Sequence, residues 1–129
     1  MPVRIVRLGS ERVAGEGLRI GTVRRPPRGV AKSEFASRNF YDVWFPNLAP
    51  SEALLQRSQR AETDREWRSF ARAYRTEMKT PENRRTLELL VALSHRTNFS
   101  VGCYCADEAR CHRSLLRELL VDLGADVAL

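Results

Sequence analysis

The chain has 129 residues, 43% apolar and 29% charged, with 22 Lys+Arg against 16 Asp+Glu for a formal net charge of +6. That balance excludes a disordered tail, and no apolar run approaches the roughly 20 residues of a membrane span. As a length it predicts one domain, long enough to bury a core without staples.

The basic set is almost wholly arginine, with Lys32 and Lys79 the two lysines. Arginine suits bidentate contacts to phosphate or carboxylate, although GC-rich codon usage is the plainer source of the excess. Met1-Pro2-Val3-Arg4-Ile5 has no apolar signal core, so the expected compartment is the cytoplasm. All three cysteines fall between Cys103 and Cys111. An odd, clustered set is a poor disulfide framework and reads better as metal-binding or reactive thiols.

In chain order, Val3 to Leu8 is a β-branched run and a first strand. A glycine-bearing connection from Gly9 to Gly17 leads to a second, Leu18 to Val23. Arg24-Arg25-Pro26-Pro27-Arg28-Gly29 cannot be regular, so a basic cluster sits on a loop just past a strand end. Residues 40–50 form an aromatic-rich irregular segment in which Trp44 and Phe45 are core, pocket wall or a dimer contact. Ser51 caps a short helix from Glu52 to about Ser58. A clear helix begins at Asp64, with Trp67, Phe70, Ala71, Tyr74 and Met78 on one apolar face. Thr80 and Pro81 start another, which carries Leu87, Leu90, Val91 and Ser94 inward and ends near Arg96.

Phe99 to Cys105 reads as a buried strand, whose period of two puts Cys103 and Cys105 on one face with Phe99 and Val101. After a polar turn, a helix runs from Cys111 or His112 to Leu123, with Gly124 as its left-handed cap. Residues 125–129 close the chain as a short strand. The result is an α/β domain, a mostly parallel sheet flanked by helices, ending in a strand–helix–strand unit. Ligands in such folds bind beyond the carboxyl ends of the strands, where both the proline-arginine loop and the cysteine turn lie.

The cysteine turn, Cys103-x-Cys105-x5-Cys111-His112-Arg113, admits three readings. Cys103, Cys105, Cys111 and His112 are a ligand set for zinc, though the spacing is unusual for a structural site; iron–sulfur ligation usually takes longer, spaced runs. Alternatively Cys111 is a thiol activated at a helix N-terminus, with His112 as acid or base and Arg113 as an anion clamp. Thirdly, the thiols are small core residues. On position, Cys111 is expected to be the most reactive, with Cys103 and Cys105 largely buried. Arg24, Arg25, Arg28 and Lys32 lack interleaved aromatics that could stack bases, so sequence-specific nucleic-acid binding is not expected. His95 stands near a helix end, where a cation is favourable.

Several segments together resemble one bacterial family. They are Gly17-Leu18-Arg19-Ile20, Arg24-x-x-Pro27-Arg28-Gly29-Val30-x-Lys32 and Ala49-Pro50-Ser51-x-x-Leu54. Trp67-x-x-Phe70-x-x-x-Tyr74-x-x-Glu77, Gly102-Cys103-Tyr104-Cys105 and Cys111-His112-Arg113 complete the set. It is similar to the YeaO-like proteins, known as domain of unknown function 488. The resemblance implies an α/β fold and brings no established activity. Many such chains keep a histidine near His112 without the three cysteines, which shifts weight to His112 and the arginines.

The reading that follows is a site for a small anionic ligand held by Arg24, Arg28 and Arg113. Cys111 and His112 are its reactive groups if the protein is an enzyme. The other class is a zinc-binding module. A basic nucleic-acid accessory protein rests on charge alone, and a homo-oligomer is compatible with the sequence.

Overall fold

The computed structural model describes residues 2–128. Four strands, β1 (Val3–Arg7), β2 (Leu18–Gly21), β3 (Val43–Trp44) and β4 (Phe99–Cys103), form one sheet in the order β1-β4-β2-β3. Every pairing is parallel. β4 lies between β1 and β2 and is buried along its whole length, as a central parallel strand covered on both faces must be. Gly102 is needed there: a Cβ at this position would stand 2.5 Å from the Val6 carbonyl oxygen.

Four helices follow the sequence signals. α1 (Glu52–Arg60) is capped by the Ser51 hydroxyl, which accepts from the Leu54 N–H. α2 (Asp64–Met78) is capped by Thr63 and buries Phe70, Ala71, Tyr74 and Met78. α3 (Pro81–Ser94) has Pro81 in its first turn and buries Leu87, Leu90 and Ser94. The Thr80 hydroxyl, expected as a cap, instead donates to the Glu77 carbonyl. α4 (His112–Asp122) buries Leu115, Leu116 and Leu120, and Gly124 takes φ +94° just past its end. The apolar ones among these side chains join Val3, Phe99 and Val101 of the sheet in one core. Each large apolar side chain so buried contributes about 1.5–3 kcal/mol.

Three further expectations need correction. The irregular aromatic segment hides β3, a two-residue edge strand whose brevity leaves no alternation to read. The closing strand over 125–129 reduces to a single parallel bridge between Val127 and Val3; Leu129 lies outside the described residues. β4 ends at Cys103, not Cys105, because the chain bends at Tyr104, whose hydroxyl donates to the Arg25 carbonyl.

A buried ion pair lies within the fold. Arg19, on β2, is wholly buried and donates from Nε to Glu16 at 2.8 Å. The same guanidinium donates to the Ser10 and Asn39 carbonyls, and Ser100 donates to the Glu16 carboxylate. The network pins both long connections to the sheet and leaves its charges paired, which burial requires.

Candidate functional site

β2 and β4 end side by side, and the segments leaving them form the walls of a cavity of about 690 Å³. One wall is the proline-arginine loop, 24–28; the other is Cys103 to Cys105 with Arg110, Cys111 and His112. This is the ligand edge expected of a parallel sheet.

After the bend at Tyr104 the chain makes a short 3-10 turn, Glu108–Arg110, stabilised by the Asp107 side chain accepting from the Ala109 N–H. That turn doubles the chain back, so Cys111 enters α4 extended and faces Cys103. Both are buried in an apolar cluster with Leu8, Val23 and Tyr41. Their sulfurs are within bonding distance, a disulfide pairing that the odd, clustered set did not suggest, while their Cα atoms are 7.8 Å apart. Cys111 is therefore not the accessible thiol its place at a helix start suggested. Cys105, expected buried, is exposed and free, because the bend removes it from the strand alternation. Crowding by neighbouring protein raises its thiol above the ordinary range, against the lowering effect of the Arg113 charge.

His112 is buried, its ring 5.7 Å from that of Tyr74. Its Nε2 lies 2.7 Å from the Thr22 carbonyl oxygen. Thr22 follows β2, and its own N–H and hydroxyl both go to the Gly102 carbonyl. A carbonyl only accepts, so Nε2 carries the proton and Nδ1 presents a lone pair. Nδ1 stands 3.8 Å from Cys111 Sγ. Burial drives the imidazole pKa down to about 4; the Thr22 bond opposes this and the Arg113 and Arg24 charges add to it. His112 is thus neutral near pH 7. Cys103, Cys111 and His112 together place three ligand atoms within 4.8 Å of one another.

The arginines divide by their partners. Arg24 donates to the Pro50 carbonyl at 3.0 Å and the Ala49 carbonyl at 3.2 Å, so two of its donors hold the wall of the cavity. Arg25 pairs with Glu52 and Arg110 with Asp64. Arg28 lines the cavity, and among the described residues no carboxylate pairs with it. Arg113 does not line the cavity: it is buried and donates to the Cys105 carbonyl at 2.9 Å. Desolvation pulls its pKa down, opposed by the Glu108 and Cys105 charges. The structure thus brings Arg24, Arg28, Cys111 and His112 to one cavity and sets Arg113 behind it.

Sequence reasoning missed Arg110 as a lining residue and the Thr22 carbonyl as the partner of His112. The first was visible only as a neighbour of the cysteine motif. The second is a backbone group, and it carries no residue signature.

The chain belongs to the DUF488 family. Residues 3–124 match the profile named DUF488-N3a, described as the active DUF488-N3 subclade. No curated protein and no solved structure matches significantly. Among the described residues, no helix is long and apolar enough to cross a membrane.

Proposed function

We propose that the protein is a small cytoplasmic enzyme acting on an anionic small molecule bound in the cavity between the proline-arginine loop and the cysteine turn. Arg28 is the principal anion contact, with the remaining donor capacity of Arg24 beside it. The Cys103–Cys111–His112 group at the end of β4 faces the reacting part of the ligand. The observation that carries this reading is a cavity lined both by an unpaired arginine and by all three members of that group. The word active in the description of the matched subclade agrees with it. Arg113 enters as a support, holding the Cys105 carbonyl and hence the turn between β4 and α4.

A second reading, a basic accessory protein for nucleic acid, has in its favour only the net charge of +6. The arginines of the cavity are mostly engaged with carboxylates and carbonyls, which leaves few for phosphate contacts.

The test is anion binding by calorimetry and thermal shift, with inorganic phosphate, pyrophosphate and sulfate at constant ionic strength. At 100 times its Kd a ligand adds about 2.7 kcal/mol of stability. The expected result is a saturable shift with one or more of these anions, and its loss in Arg28→Ala. No saturable shift, or an identical shift in Arg28→Ala, overturns the assignment.

A further inference from the structure

The same cavity holds a feature that does not depend on its arginines. We propose that Cys103 Sγ, Cys111 Sγ and His112 Nδ1 bind a zinc-class divalent ion, with the fourth coordination position open to the cavity. This deepens the reading of the site as an enzyme and rests on the cluster alone.

The donor set comes first. Two thiolates and one imidazole are soft or borderline ligands and select zinc-class ions over magnesium or calcium. The three ligand atoms already lie within 4.8 Å of one another. In a tetrahedron with Zn–S near 2.3 Å and Zn–N near 2.0 Å, the edge between sulfur and nitrogen is about 3.5 Å. Cys111 Sγ and His112 Nδ1 stand 3.8 Å apart.

Orientation of the imidazole comes second. A ligating histidine usually donates its other ring N–H to a carbonyl or carboxylate, which fixes tautomer and ring direction. The Thr22 carbonyl does this at 2.7 Å from Nε2 and leaves the Nδ1 lone pair on the side of Cys111 Sγ.

The separation of the cysteine backbones comes third. A relaxed disulfide spans about 4.4–6.8 Å between Cα atoms. Cys103 and Cys111 are 7.8 Å apart at Cα. An ion would hold its two sulfurs about 3.8 Å apart, as the tetrahedral angle requires, so the sulfurs would separate from the contact they make here, and the 7.8 Å between the Cα atoms leaves room for that without moving the backbones. Two thiolates also balance a divalent charge, so the buried group stays neutral.

The number of ligands comes last. Cys105 is exposed and outside the group, and among the described residues no further cysteine, histidine or carboxylate joins it. Closed structural zinc sites use four protein ligands; sites that keep an exchangeable position use three. Cys103, Cys111 and His112 all line the cavity, so the fourth position is the one a water or an anionic ligand would take.

The test is the metal content of the full chain, purified under reducing conditions without a metal-affinity step, together with exchange into cobalt(II). The expected result is about one zinc per chain in the wild type, in Cys105→Ser and in Arg28→Ala, with loss of the bound zinc in Cys103→Ser and Cys111→Ser. The cobalt form should show thiolate-to-cobalt charge transfer and the d–d bands of four-coordinate cobalt, shifted on adding inorganic phosphate. The cobalt spectrum of the wild type stands even where a cysteine variant fails to fold. An intact mass lighter by two hydrogens, with no metal uptake after reduction, overturns the site in favour of a disulfide. Metal loss in Cys105→Ser overturns the ligand assignment. A zinc-loaded protein that binds none of phosphate, pyrophosphate and sulfate upholds this site while rejecting the anion reading.

Discussion

Removing Glu16 isolates the largest electrostatic commitment in the fold. Its carboxylate accepts from Arg19 at 2.8 and 3.0 Å and from Ser100 at 2.8 Å. Arg19 is 0% exposed and Glu16 3%. Glu16→Ala leaves a buried guanidinium with only the Ser10 and Asn39 carbonyls, and breaking a buried pair from one side costs about 3–5 kcal/mol. With a urea m-value of about 2 kcal/mol/M, a loss of about 4 kcal/mol lowers the unfolding midpoint by about 2 M. Replacing both partners with apolar residues, Glu16→Leu with Arg19→Met, should recover most of that loss, because the penalty is the stranded charge and not the missing attraction. The exposed pair Arg84–Glu88 is the control, and Arg84→Ala should change stability by no more than about 0.5 kcal/mol.

The acid side has a definite sign. Burial pushes the Glu16 carboxyl up, but the bonds from Arg19 and Ser100 and the Arg19 charge outweigh it, so its folded pKa lies below the ordinary 4.5. A depressed carboxyl contributes stability that is complete above the unfolded value and is lost as pH falls through the folded one. Urea midpoints of wild type and Glu16→Ala should therefore converge below the ordinary carboxylate range. A loss under about 1 kcal/mol near pH 7, or a gap that does not narrow on acidification, refutes this account.

Other predictions concern the site. Arg24→Ala should lower stability by about 1.5–3 kcal/mol, because it removes charged donors from two carbonyls, whereas Arg28→Ala should stay within about 0.5 kcal/mol of wild type. Urea midpoints separate the two. Native alkylation with mass mapping should label Cys105 first, its rate climbing with pH because its pKa is raised, with Cys103 and Cys111 modified only after unfolding. Gly124→Ala should cost about 1 kcal/mol, since φ +94° is strained for any residue with a Cβ; thermal unfolding measures it. Binding to duplex DNA should be weak, indifferent to sequence and abolished by moderate salt in a filter or fluorescence assay.

Much of the fold is legible in the chain because local signals agree with tertiary ones. Phe70, Ala71, Tyr74 and Met78 keep helical spacing and are all buried. Ser51, Pro81 and Gly124 sit where caps and first turns need them. What is not legible depends on contacts remote in sequence. β3 is set by its pairing with Ile20 and Gly21, not by its own two residues. Cys105 leaves the strand because Tyr104 is tied to Arg25, 79 positions away. Cys111 is buried because a 3-10 turn folds it under Leu8, Val23 and Tyr41, and a helix start by itself does not determine exposure.

Several motif residues outside the cysteine turn converge on one wall of the cavity. Glu77, on α2, accepts from the Ser51 N–H at 2.9 Å and from its hydroxyl. Ser51 follows Ala49 and Pro50, whose carbonyls receive Arg24. Tyr74, one turn before Glu77, donates to the Leu48 carbonyl at 2.7 Å and packs its ring near His112. Segment 48–51 is therefore clamped from α2 on one side and from the proline-arginine loop on the other. A site needs its reacting groups held by packed neighbours on rigid elements. Here α2 both builds the wall and touches the imidazole. Loosening that clamp, for instance by Glu77→Ala, should weaken ligand binding in the cavity although no residue facing the ligand has changed.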